Sequence, residues 1–181
     1  MGLPGSQRNV ERLVKEHYLS LYRYAFRLTG ASADAEDLTQ ETFCSAQLKF
    51  HQLRDPDRAK AWLFSILRNA YLHRIRARNN QPVISIELLD DVAEPLPDPL
   101  PPVDTERLQQ ILNELPEVFR TPIILYYFEE FSYRDIAEQM DLPVGTVMSR
   151  LARAKAHLKS RLLVPEARMM ADALRRATDG L

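Results

Sequence analysis

The chain has 181 residues, 45% hydrophobic and 27% charged, with a formal net charge of −1, a size that suits one domain or two small ones. No apolar run approaches the roughly 18 residues that a bilayer span needs, and the opening "MGLPGSQRNV" has no apolar signal-peptide centre, so a cytoplasmic protein without membrane insertion is expected. One cysteine, Cys44, excludes an internal disulfide, the four histidines lie far apart, and no phosphate-cradling loop, G-x-S-x-G or H-E-x-x-H is present, so no metal, no cofactor and no enzyme activity is expected.

The N-terminal third reads as helices. Val10, Leu13, Val14, Tyr18, Leu21, Tyr22, Ala25 and Leu28 recur at steps of three and four, and Gly30 is a stop signal. A second helix is expected from Ser32 or Asp34, with Asp34, Glu36 and Asp37 in its first turn, where the helix dipole favours anions. On it Cys44 is expected as a small buried apolar side chain. "HQLRDPDR" reads as a loop around Pro56, and a third helix as running from about Ala59 to Arg78. Trp62, Leu63, Ile66, Leu67 and Ala70 share one face of it, Phe64, Tyr71 and Ile75 another, and Ser65, Asn69 and Arg76 a polar strip. From Arg58 to Arg78 there are six Lys and Arg and no acid, which suits an edge that meets phosphates.

Residues 80–104 differ in kind. They hold half of the chain's twelve prolines and six acids without a base. Proline removes backbone donors and disfavours helix at the residue before it, so "EPLPDPLPP" reads as an extended, acidic linker. Beyond it, "DTERLQQILNELPEVFRTPIILYYFEEF" gives two helices broken near Pro116, with Pro122 in the first turns of the second and the aromatics in the core. Ser132 and Asp135 form a capping-box pattern. Ile136, Ala137 and Met140 then face inward, Asp141 to Pro143 make a turn, and Val144, Val147, Leu151, Ala154, Leu158 and Leu162 form a stripe on a last helix. Helix, three-residue turn, helix is helix-turn-helix geometry. Val144 to Leu163 carries five Lys and Arg and no acid, and Thr146, Ser149, Arg150 and Arg153 lie opposite the stripe, near the end that enters a major groove. The fold expected is all-α: two small helical domains, 1–79 and 105–163, joined by the Pro-rich acidic linker 80–104, the second containing the helix-turn-helix, followed by an extension at 164–181.

At this point the chain resembles a bacterial sigma factor of the extracytoplasmic-function (ECF) type, in the sigma-70 superfamily. "DAEDLTQETF", Asp34 to Phe43, looks like the family's core-polymerase-binding helix. "FSYRDIAEQMDLPVGTVMSRLARAKAHL" looks like its fourth conserved region, and "AWLFSILRNAYLHRIR" stands where its minus-ten-reading helix is. The match covers about residues 9 to 163. It implies a promoter-recognition subunit that binds RNA polymerase core (the beta-prime clamp helices and the beta flap) and promoter DNA, has no catalysis of its own, and is controlled by an anti-sigma factor.

Carried over by motif, Asp37, Gln40 and Glu41 would contact the core. The loop His51 to Asp57 would capture a flipped base, and Trp62, Arg68, Asn69, Arg74 and Arg76 would handle the minus-ten strand, Trp62 being equally placed to anchor the bundle. Thr146, Met148, Ser149, Ala152 and Arg153 would read the minus-thirty-five element, with Arg134 and Arg150 near the backbone. Met148 and Ala152 stand where some members have long polar or aromatic side chains, which shifts weight to shape readout. The alternative is an autonomous helix-turn-helix regulator with an N-terminal sensing or dimerisation bundle. An enzyme acting on nucleic acid would need clustered carboxylates, which the sequence does not offer near its basic helices.

Overall fold

The computed structural model describes residues 4–79 and 105–162. The acidic linker and the 164–181 extension lie outside the described residues. The first stretch holds α1 (Pro4–Thr29), α2 (Ser32–Lys49), two short 3-10 turns (Phe50–Gln52 and Pro56–Arg58) and α3 (Ala59–Asn79). The second holds α4 (Thr105–Glu114), α5 (Glu117–Tyr127), α6 (Tyr133–Met140) and α7 (Val144–Leu162). No strand occurs among the described residues, and the fold is all-α.

Local chemistry sets the breaks. Gly30 ends α1 at φ +74, with its N–H donating to the Phe26 carbonyl at 2.7 Å, the left-handed cap that glycine adopts without steric cost. Space demands the same residue: a Cβ there would lie 2.7 Å from Asn113 Nδ2, so α1 ends where α4 comes close. Ser132 and Asp135 complete a reciprocal capping box at the start of α6, which satisfies two orphan N–H groups. Asp141 stops α6 in the left-handed region at φ 53, and the Leu142 N–H returns to the Ala137 carbonyl at 3.0 Å. Pro122 lies inside α5, in its second turn.

Packing follows the expected stripes with four departures. Tyr18, counted in the α1 stripe, is 42% exposed. Tyr24, absent from the expected face of α1, is fully buried. Val144, counted in the α7 stripe, is 38% exposed because it opens the helix before the stripe has a partner. Cys44, expected in the core, is exposed. It stands on the outer side of α2, since Leu38, Thr39, Thr42, Phe43 and Ala46 take the inward positions.

The two groups of helices share one hydrophobic core. Tyr24 on α1 stacks on Phe64 of α3 with ring centroids 4.9 Å apart, and Phe64 meets Phe131, in the turn before α6, at 5.1 Å. Modules of about 60 residues leave much apolar surface uncovered when alone. Here each covers part of the other.

Candidate polymerase and nucleic-acid interface

On α2, Asp37, Gln40 and Glu41 are all exposed, and their spacing gathers them on one helix face. Cys44 continues that face. Glu41 is not idle: its Oε2 accepts from Arg74 Nη2 at 2.6 Å and Nε at 3.1 Å. An expected core contact and an expected minus-ten residue are thus bonded to each other.

The five expected strand residues of α3 do not form one patch. Asn69 and Arg76 are exposed. Arg74 lies about 140° around the helix from Asn69, at 100° per residue, and faces α2. Trp62 is half-buried against the core and also lines a cavity of about 380 Å³ beside Gln52–Asp55 and Arg58. Both roles weighed for it from sequence are compatible with that position. Arg68 turns into the seam between the modules, its Nη2 3.4 Å from Glu117 Oε1 and its Nη1 donating to the Gln139 carbonyl at 3.4 Å.

In the helix-turn-helix, Met148 (48% exposed), Ser149 and Arg134 reach solvent, while Thr146, Ala152 and Arg153 are half-buried. Arg150 is half-buried as well. Burial lowers its pKa, Glu117 opposes that shift, and the like charge of Arg68 adds to it. One carboxylate, Glu117, therefore feels two arginines, one from each expected DNA-binding helix.

The seam holds residues that motif reasoning did not single out. Arg58 Nη2 meets Glu138 Oε2 at 2.6 Å. Lys60 Nζ donates to the Glu129 carbonyl at 2.7 Å and lies 5.0 Å from the centre of the Phe131 ring. The Arg27 guanidinium stacks 4.1 Å over Phe128, a cation–π contact. Arg120 spans both modules. Its Nη1 donates to the Leu28 carbonyl at 2.8 Å, and its Nη2 to the Asn113 and Leu115 carbonyls, each at 2.8 Å. The signal for these residues was faint: charges inside otherwise apolar runs such as "LPEVFRTPIIL".

Glu129 is a buried carboxylate, 5% exposed. Desolvation pushes its pKa up to about 7, opposed by Lys60 on α3 and by Arg27 and Arg23 on α1, and assisted by neighbouring Glu130. The folded chain therefore holds a proton that the unfolded chain releases near pH 4.5. This group's contribution to stability is full below that value and is lost as pH rises through about 7. Glu129→Gln should flatten the fall in melting temperature between about pH 5 and about pH 8 and melt above the parent chain at the alkaline end. Thermal melts across that range check it; an unchanged slope would count against the buried-proton account.

Among the described residues no group of three or more His, Cys, Asp or Glu could hold a metal ion, and no helix is long and apolar enough to cross a membrane.

Residues 13–81 match sigma-70 region 2, and residues 105–158 match sigma-70 region 4. The chain is 31% identical over 145 residues to the ECF RNA polymerase sigma factor EcfG of Rhodopseudomonas palustris, covering 80% of each protein. The chain belongs to the ECF sigma factors. It is 35% identical over 160 residues to the ECF RNA polymerase sigma factor SigE of Mycolicibacterium smegmatis, covering 84% of this chain and 61% of that protein. Its fold resembles the sigma factor RpoE of Bartonella quintana, solved in complex with the anti-sigma factor NepR, with a TM-score of 0.71, 29% identity, and coverage of 87% of this chain and 98% of that one. As a sigma factor it is a subunit of RNA polymerase that directs transcription initiation; its family works with the polymerase core and is not a family of enzymes.

Proposed function

We propose that the two halves of this sigma factor divide promoter recognition. Residues 1–79 join the polymerase core and handle the minus-ten element, 80–104 connect, and 105–163 read the minus-thirty-five element. Asp37, Gln40 and Glu41 dock on the beta-prime clamp helices. Trp62, Arg68, Asn69, Arg74 and Arg76 serve the melted strand. Met148, Ser149, Thr146, Ala152 and Arg153 face the major groove, with Arg134 and Arg150 toward the backbone. The observation that carries this reading is an exposed carboxylate-bearing face on α2 together with a capped helix-turn-helix whose exposed end bears short polar and basic side chains. Short hydroxyls and arginines at that end fit the acceptor-rich edge of the groove and its phosphates.

The chain acts in the cytoplasm, where an anti-sigma factor controls it. The Bartonella quintana neighbour was solved with such a partner, as was CnrH, at 26% identity and a TM-score of 0.62, with the cytosolic domain of CnrY.

Core-dependent run-off transcription and comigration with polymerase core test the division. Arg153→Ala should cut initiation about tenfold while comigration survives, the loss of one good base or phosphate contact. Asp37→Ala with Gln40→Ala should weaken comigration about tenfold and leave promoter contacts intact. A chain that ignored the core yet bound operator DNA unaided as a dimer would replace this reading with that of an autonomous regulator.

A further inference from the structure

We propose that Arg74 of α3 is a positioning residue for polymerase docking: it ties down one oxygen of the Glu41 carboxylate on α2 and leaves the other for a cationic hydrogen-bond donor on the core. The proposal rests on the reading of α2 as the core-docking face. To Arg74, assigned by motif to the strand, it adds a task on the side of α3 that is turned to α2.

The register of α3 aims the side chain. Leu63 and Leu67 are fully buried, and a further step of seven residues carries their stripe on to Arg74. Arg74 thus stands where the inward stripe runs out past the core, and its side chain is half-buried. Its Nε and Nη2 both donate to Glu41 Oε2, at 3.1 and 2.6 Å. Charge-assisted bonds from a rigid guanidinium fix direction as well as distance. Among the described residues Glu41 Oε1 has no hydrogen bond or ion pair. Glu41 itself stays exposed beside Asp37 and Gln40.

The two side chains are 29% and 47% exposed, too open to water for the pair to add much to folding. Its effect is on order. A glutamate has three rotatable side-chain bonds, and freezing such a side chain at an interface weakens binding. Arg74 freezes Glu41 before the partner arrives. The partner's chemistry follows from what is displayed. A carboxylate with one uncommitted oxygen, flanked by the Asp37 carboxylate and the Gln40 amide, suits a guanidinium or an ammonium. Simple neutralisation of Glu41 by Arg74 would act in the opposite sense, since removing the arginine would then tighten docking. The geometry favours positioning, because only one of the two oxygens is engaged and the exposed charge is screened by salt.

The test titrates the full chain and its variants onto immobilised polymerase core. Arg74→Ala should weaken binding about three- to tenfold, the range that one unfrozen side chain gives, and should melt within about 2 °C of the parent. Arg74→Lys keeps the charge but not the planar fork and should recover part of the loss. In a Glu41→Ala background, itself weakened, Arg74→Ala should cost less than about twofold more. Exchanging the pair, Arg74→Glu with Glu41→Arg, should rejoin α2 to α3 yet leave docking weak, because the core then meets a cation. A merely structural link would be rescued by that exchange. Three results would overturn the assignment: binding of Arg74→Ala within about twofold of the parent or tighter, an undiminished effect of Arg74→Ala without Glu41, or rescue by the exchange. Lowered run-off transcription at unchanged core affinity would return Arg74 to the strand alone. The chain with Asp37→Ala and Gln40→Ala reports the docking face itself. If it binds core as the parent does, the reading of α2 fails and the task of Arg74 with it. If it binds weakly while Arg74→Ala binds normally, only the positioning role falls.

Discussion

Arg120→Ala should lower the unfolding free energy by about 3 kcal/mol, because hydrogen bonds from a charged donor are worth about 1.5–3 kcal/mol and this side chain makes several that are lost together. The guanidinium serves Leu28 near the end of α1 and Asn113 and Leu115 near the end of α4. Its Nε adds a second bond to the Leu115 carbonyl at 3.1 Å. Terminal helix carbonyls have no partner within their own helix, and a cation there also complements the negative end of the dipole. One residue of α5 thus closes two helices, one in each module. The melting temperature should fall by about 6–12 °C for a chain of this size, as followed by circular dichroism. Arg120→Lys keeps the charge but loses the planar fork, and should recover less than half of the loss. A melting point within about 2 °C of the parent for Arg120→Ala would show that water replaces the guanidinium at little cost.

Phe64→Ala is the second large effect. Phe64 is fully buried between Tyr24 and Phe131. Removing a core phenylalanine costs about 3–5 kcal/mol, from lost transfer energy and the cavity left behind. Because the ring touches both modules, the loss should shift a single urea transition and leave no resistant second phase. Two separated transitions, one at the parent midpoint, would mean that the modules hold their structure independently and that the shared core adds little.

Local signals in the sequence carried much of this molecule. Gly30, the Ser132–Asp135 pair and Asp141 to Pro143 marked helix ends correctly because their chemistry acts within four residues. The helix-turn-helix followed from those marks together with the α7 stripe. Cys44 was misplaced for a physical reason. On α2, Thr39 and Thr42 are buried with their hydroxyls donating to the Ala35 and Leu38 carbonyls at 2.7 Å. Polar residues that satisfy themselves this way blur the contrast between inner and outer faces. The seam was illegible for a different reason. Arg68 and Glu117 are 49 residues apart, and Arg120 and Leu28 are 92, so no period or spacing links them. Arg68, Arg74 and Arg150 were identified as cations with a task. Which carboxylate holds Arg68 depends on how the two modules meet, whereas Arg74 meets Glu41 within the first module.

The ring column that runs from Tyr24 to Phe131 bears on the solubility of the protein. When α3 and the α5–α6 turn separate, phenylalanine faces meet water, and contiguous oily surface of that kind draws chains to one another. Overproduced, chains whose modules part should clump and sediment, so the yield of usable protein depends on how firmly that column holds them together.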